Sequence, residues 1–213
     1  SYGPVVQSVT VTVADGRFWY SLGNGLGNGQ DNNWYLDGNG ASVVSSDGKK
    51  TIVQMGSGYR GDLWLARSGK GKVVNVTPAD YRYFAIKVGF KSQLVPGKNK
   101  PNGCIKLEIF DDGIKKIGPE YFGTGGDANN RYEILGASEI STTEPNVLYY
   151  DLQSKYKTVT PTDWNQVFDL AQCKFVIADF PETAQTYDLY WIRSFKSIEE
   201  LQAFVDSENN TNE

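Results

Sequence analysis

The sequence predicts an all-β fold: a two-sheet β-sandwich of the jelly-roll kind, closed by one short C-terminal helix. Three observations lead there. Apolar and polar residues alternate in about a dozen short runs, turn-forming Gly, Asn, Asp and Pro clusters separate the runs, and helical periodicity is nearly absent before residue 197. That many short strands stack better as two sheets than as one open sheet, which would leave long unprotected edges. The 213 residues lie within the range that sandwiches fill as one unit, so we expect a single domain over 1–213 with a flexible tail at 206–213.

In chain order, the candidate strands span 5–13, 17–21, 41–45, 50–55, 61–67, 72–76, 83–91, 104–111, 131–135, 147–152, 174–179 and 187–195. Within the run at 82–90, a period of two puts Phe84, Ile86, Val88 and Phe90 on one face, which should be core. The opposite face carries Tyr83, Ala85, Lys87 and Gly89, a mixture suited to water or a polar ligand. In the run at 61–67, Leu63 and Leu65 point one way while Asp62, Trp64 and Ala66 point the other.

One helix is expected from Ser197, where Ser-Ile-Glu-Glu forms a capping box. The serine oxygen meets the Glu200 N–H and the Glu200 carboxylate returns to the Ser197 N–H. Ile198, Leu201, Phe204 and Val205 share an apolar stripe that should pack over an edge or end of the sandwich. Two Gly/Asn-rich stretches, 23–33 and 123–130, read as long surface loops. The first delivers Trp34 and Tyr35.

Composition removes several function classes. Net charge −4 leaves no basic surplus for a phosphate backbone, so nucleic acid is not an expected partner. The chain contains no histidine, which takes away the usual general base, nitrogen metal ligand and pH switch together. Two cysteines, Cys104 and Cys173, cannot build a four-thiolate zinc site, and buried free thiols and a single bridge both stay open. No apolar run is long enough to span a bilayer, so this domain is not expected to insert in a membrane. The polar opening Ser1-Tyr2-Gly3-Pro4 reads as an interdomain linker, and we expect a longer parent protein.

The 13% aromatic content is heavy, and where it falls suggests sugar chemistry. Sugars present apolar C–H faces and polar edges, so binding them needs aromatic rings beside hydrogen-bonding side chains. Trp34 and Tyr35 lie among Asp31, Asn32, Asn33, Asp37 and Asn39; Trp64 lies beside Tyr59, Arg60 and Asp62; Trp164 lies beside Asp163, Asn165 and Gln166. Any single one of these indoles also suits a core plug, because tryptophan is highly buried on average. We expect a ligand surface built on Trp34 and Trp64, with Tyr35, Tyr59 and Tyr83 as further stackers and Asp62, Arg60 and Lys87 on hydroxyls; Trp164 is a further candidate. Trp19 and Trp191, in dense apolar segments, are assigned to the interior or to sheet faces.

Catalysis and metal binding have weaker signals. Glu108, Glu133, Glu139, Glu144, Asp151 and Asp188 are available for a glycosidase-type carboxylate pair, but none sits in a recognisable catalytic signature. The Gly/Asn loop has neither a Gly-Lys-Ser/Thr ending nor a following helix, so an ordinary turn-rich loop is the better reading than a phosphate cradle. Asp111-Asp112-Gly113 reads as a hairpin turn, without the further oxygen ligands of an EF-hand.

Asp62-Leu63-Trp64, the run Ala79-Asp80-Tyr81-Arg82-Tyr83-Phe84-Ala85-Ile86-Lys87-Val88 and the late segments at 147–152 and 187–200 carry a resemblance. Together they resemble the C-terminal glycan-binding domains of surface lipoproteins encoded in Bacteroidetes polysaccharide-utilisation loci. The resemblance implies a jelly-roll carbohydrate-binding module, held at the cell surface through a lipid anchor on an upstream domain and capturing a plant-type, xylan-like polysaccharide. It implies neighbouring domains of the same lipoprotein as partners. Such modules often carry a structural calcium, for which this sequence shows no ligand cluster, so no cofactor is expected. The alternatives are a jelly-roll glycoside hydrolase or polysaccharide lyase using a carboxylate pair, and a structural or protein-interaction domain with its aromatics interior.

Overall fold

The computed structural model describes residues 16–27, 34–37, 40–56, 61–67, 70–71, 74–77, 79–95, 105–111, 132–153, 168–177 and 185–211. Over these residues the chain forms strands β1 (Trp19–Ser21), β2 (Tyr35–Asp37), β3 (Ser42–Ser46), β4 (Thr51–Gln54), β5 (Gly61–Arg67), β6 (Lys70–Gly71) and β7 (Val74–Val76). There follow β8 (Tyr83–Phe90), β9 (Ile105–Asp111), β10 (Glu133–Ile134), β11 (Asn146–Asp151), β12 (Phe168–Ile177), β13 (Thr186–Phe195) and helix α1 (Ile198–Asn210).

The strands make two antiparallel sheets, as the alternating runs predict. The first has the order β10-β11-β8-β13-β4-β3. Ten-residue β13 takes β4 along its first half, from Thr186 to Leu189, and β1 along its second, from Trp191 to Arg193. The second sheet runs β2-β5-β12-β7, with β6 on β5 and β9 on β12. Between the sheets lies one apolar core. Phe84, Ile86, Val88, Tyr150, Leu189 and Ile192 of the first sheet meet Leu63, Leu65, Leu107, Phe175 and Ile177 of the second. The β8 face read as core and the inward pair Leu63 and Leu65 are therefore where the period of two puts them.

Two expectations about strands change, and two others lie outside the described residues. Strands β2 and β6 were not predicted, because each is too short to show alternation and lies among glycines. Strand β12 starts at Phe168 rather than at 174, since its opening Phe-Asp-Leu-Ala-Gln continues a ladder with β7 and β9. The expected strand at 5–13 and the loop at 123–130 lie outside the described residues.

The helix differs most. Its N-cap is Ser197, whose Oγ accepts the Glu200 N–H at 3.1 Å, as the capping box requires. The returning Glu200 carboxylate, however, accepts the Lys196 N–H at 2.8 Å rather than that of Ser197. Instead of covering an edge or end, α1 lies on the outer face of the first sheet, where Leu201 joins Ala85, Val147, Trp191 and Phe195 in a second apolar cluster. Phe204 and Val205 pack against that cluster, while Ile198 stays exposed. The segment read as a fraying tail is helical as far as Asn210, with Thr211 as C-cap. A carboxylate at Glu208, described below, ties down these last turns.

Burial also settles the cysteine question. Cys173 is a free thiol sealed in the core, so the chain's two cysteines are not joined. At the far side of the first sheet, β3 is the edge strand among the described residues and is exposed throughout, and its register with β4 is broken by a bulge between Val43 and Ser45.

Two outcomes follow from this core. Trp34→Ala should cost about 3–5 kcal/mol of stability by urea denaturation, the usual penalty for emptying a sealed aromatic site. Burial pushes the Tyr20 hydroxyl from 10.0 up to about 12, and it also raises the Cys173 thiol and the Tyr187 hydroxyl. A group raised on folding contributes stability that is intact below its unfolded value and lost as pH climbs toward its folded value. The urea midpoint should therefore hold up to about pH 9 and fall between about pH 10 and 12, with a shallower fall in Tyr20→Phe.

Candidate functional site

The structure separates the residues that the sequence groups as a ligand surface. Trp34 points inward at 0% exposure, edge-on to Tyr20 at 5.8 Å and tilted against Phe175 at 6.0 Å between ring centroids. As a stacking platform it is overturned, because Trp34 and Leu36 share the inward parity of their strand and Tyr35 does not. Tyr35 and Asp62 do meet Trp64 on the outer face of the second sheet, where Tyr35 stands opposite Trp64 in register. There, however, Trp64 is only 7% exposed and Asp62 is buried. The Lys174 ammonium lies 4.4 Å from the Trp64 ring centroid and 3.7 Å from the Asp62 carboxylate. A cation thus sits over the indole, and burial of both Trp64 and Asp62 closes this cluster. Tyr59, Arg60 and Trp164 lie outside the described residues.

Tyr83 and Lys87 lie on the outer face of the first sheet, as alternation predicts. Tyr83 is half-buried against Tyr149 and under the Arg82 guanidinium, whose Nε and Nη2 donate to the Asp151 carboxylate at 2.7 and 2.8 Å. Lys87 belongs to something larger. Beside the C-terminal half of α1 a groove of about 320 Å³ opens on this face, lined by Lys87, Tyr190, Trp191, Arg193, Glu208 and Ser21 among others. Its size falls in the range of small-ligand sites.

A bulge makes the groove. The register between β13 and β8 slips between Leu189 and Trp191, so Leu189 and Ile192 both face the core while Tyr190 and Trp191 both face outward. Two consecutive aromatics thereby reach one surface. Trp191 is buried beneath α1 and donates its indole N–H to the Glu208 carboxylate at 3.1–3.2 Å. The same carboxylate meets the Lys87 ammonium at 3.4 Å, and that ammonium lies 5.0 Å from the Tyr190 ring centroid. Tyr190 remains half-buried on the groove wall.

At the other wall Arg193 lies among rings, its guanidinium carbon 4.4 Å from the centroid of Trp19, 4.7 Å from Phe204 and 5.6 Å from Trp191. One nitrogen, Nη2, donates to Ser21 Oγ at 3.1 Å. Nε is buried and has no hydrogen-bond partner among the described residues. Trp19, 41% exposed, stacks under Arg17 at 3.9 Å as well as under Arg193. Both of the strand tryptophans assigned to the interior or to sheet faces therefore lie on this outer face.

The rim is set by a close approach of two backbones. Gly48 N–H donates to Gly23 O at 2.9 Å, and a Cβ on Gly23 would fall 2.3 Å from the Gly48 carbonyl oxygen, so only glycine fits there. Buried Thr51 holds the approaching loop: its hydroxyl donates to Leu22 O and accepts the Gly25 N–H at 3.0 Å. Opposite, Asp47 Oδ1 accepts the N–H groups of Lys49 and Lys50, which shapes the β3–β4 turn and keeps its carboxyl below the usual range. This turn brings Lys49 to the groove. Further along the same face, Lys50 and Lys91 each lie 3.2 Å from Oδ2 of buried Asp188, which has room because residue 89 is glycine.

Among the carboxylates considered for catalysis, Asp151 and Asp188 are thus engaged in ion pairs, while Glu133, Glu139 and Glu144 are exposed. Among the described residues no group of three or more acidic or thiol side chains is placed to hold a metal ion. Sequence reasoning missed Tyr190, Arg193, Glu208 and Lys49. The Asp47-Gly48 turn signal would have found the last; the others depend on a bulge and a helix position that have no local signature.

Glu208→Ala should release the last turns of α1. We expect amide exchange over 203–211 to lose most of its protection and global stability to fall by about 1–2 kcal/mol, because both the Trp191 N–H and the Lys87 ammonium lose their acceptor.

Against known proteins, one family model matches, described as a domain of unknown function, DUF4979, over residues 23–201. No curated protein and no solved structure matches the chain. The matched span runs from the glycine at the groove rim to the first buried turn of the helix, most of the chain, and the protein belongs to the DUF4979 family.

Proposed function

We propose that this domain binds a polysaccharide without transforming it, in the groove between α1 and the outer face of the first sheet. The observation that carries the reading is the composition of that groove. The Tyr190 ring stands beside an ammonium, a guanidinium, a hydroxyl and a carboxylate, from Lys87, Arg193, Ser21 and Glu208, in an open channel. A pyranose needs that combination: a ring for its C–H face and directional donors and acceptors for its hydroxyls. Of the residues first expected to bind, Lys87 stays in this reading; the Trp34 and Trp64 rings leave it because they are closed.

The ligand class rests on the sequence resemblance as well as on the groove, and a plant-type, xylan-like chain is the first to test. Display at the cell surface beside other domains of a longer lipoprotein belongs to the same proposal and has the same support. One half-buried tyrosine contributes about 1 kcal/mol by stacking, so affinity for a single sugar is low and repeating ligands gain by avidity.

Affinity electrophoresis against a panel of soluble plant polysaccharides tests the reading. We expect retardation by at least one glycan, weakened at least about fivefold in Tyr190→Ala and in Lys87→Ala. Retardation by none, or unchanged retardation in both variants, would refute it. Reducing ends that accumulate with time on the same panel would replace binding with hydrolysis.

A further inference from the structure

The charge on this face points to a narrower ligand class. In a chain of net charge −4, Lys49, Lys50, Lys87, Lys91 and Arg193 crowd one end of the outer face among the described residues, with the carboxylates of Asp47, Asp188, Glu208 and Glu144 near them. Two of the acids are committed. Asp188 is shared by Lys50 and Lys91, and Glu208 is held by the Trp191 N–H and Lys87. Arg193 has no carboxylate within ion-pair distance among the described residues, and its Nε has no acceptor although it is buried. A cation held so, partly out of water and without a paired carboxylate, is stabilised by an anion. Desolvation already pulls its pKa below the ordinary guanidinium value.

We infer that the groove selects glycans bearing anionic groups, uronate carboxylates or sulfate esters, and that Arg193 is the residue that receives the anion. This inference rests on the glycan-binding reading of the same groove. The rings of Trp19, Phe204 and Trp191 fix the guanidinium in place. Held there, the guanidinium lines the groove and meets a planar or tetrahedral oxyanion without loss of side-chain freedom. Lys49, an exposed hairpin residue on the groove, supplies a second positive charge, and Tyr190 takes the sugar face. Glu208 is the counterweight: it keeps Lys87 from binding an anion and repels one that enters too deeply.

The test uses the whole chain, titrated by calorimetry with glucuronoxylan, polygalacturonate and a sulfated dextran, each beside its carboxyl-reduced or desulfated form. The inference predicts an affinity about tenfold or more higher for a charged form than for its neutral partner. That preference should fall about tenfold in Arg193→Gln and decline with added salt. Whichever charged arm shows the preference names the anion. Because Arg193→Gln disturbs an aromatic stack, Lys49→Gln repeats the test at an exposed position and should reduce the preference by a few-fold. Equal affinity for charged and neutral forms, both weakened by Tyr190→Ala, would overturn the inference and leave glycan binding intact. A preference unchanged in both Arg193→Gln and Lys49→Gln would also overturn it. Binding to none of the glycans, charged or neutral, removes the underlying reading as well.

Discussion

Strand β13 has to satisfy two apolar layers at once, and most of the molecule follows from how it does so. Its inner residues Tyr187, Leu189 and Ile192 fill the space between the sheets, while Trp191 and Phe195 on the outer side carry α1. Strict alternation cannot serve both layers over ten residues, because the two layers want their large side chains at different positions along the strand. The single extra residue at Tyr190 changes the parity midway. The first half of the strand then matches β4 and the second half matches β1, with the core unbroken across the change.

The helix completes that arrangement and creates the groove as a by-product. An apolar stripe of Leu201, Phe204 and Val205 needs cover, and the outward Trp191 and Phe195 give it. Since the helix covers only part of the sheet, the polar groups along its open flank, Glu208 above all, face Lys87 and Tyr190 across a gap. The interaction that closes one end of the gap is the same carboxylate that satisfies the Trp191 indole. Helix packing and the lining of the groove therefore share one carboxylate.

Much of the fold was legible in the sequence. Nearly every described strand of five or more residues coincides with a predicted run, because long strands buried on one face must alternate and the core face of β8 shows this plainly. Ser197 marked the helix start through its own side chain. What remained hidden was nonlocal. Nothing near Trp34 distinguishes a ring facing the core from one facing water; the parity of a three-residue strand decides it, and such a strand is too short to read. Trp64 was assigned the correct face and is nevertheless closed, with Lys174 of β12 drawn over it by a register of strands far apart in sequence. Tyr190 and Trp191 were visible as aromatics, but only the bulge brings both to one side.

The exposed edge at Ser42–Ser46 has a consequence for crowding. A bare strand bearing Val43 and Val44 on its surface is the kind of border onto which another copy would ordinarily zip, ladder on ladder, into a growing fibre. The slipped residue between Val43 and Ser45 kinks that border and spoils the even spacing of its outward amides and carbonyls. A second copy approaching shoulder to shoulder thus meets a template with a missing tooth, which disfavours polymerisation through this rim.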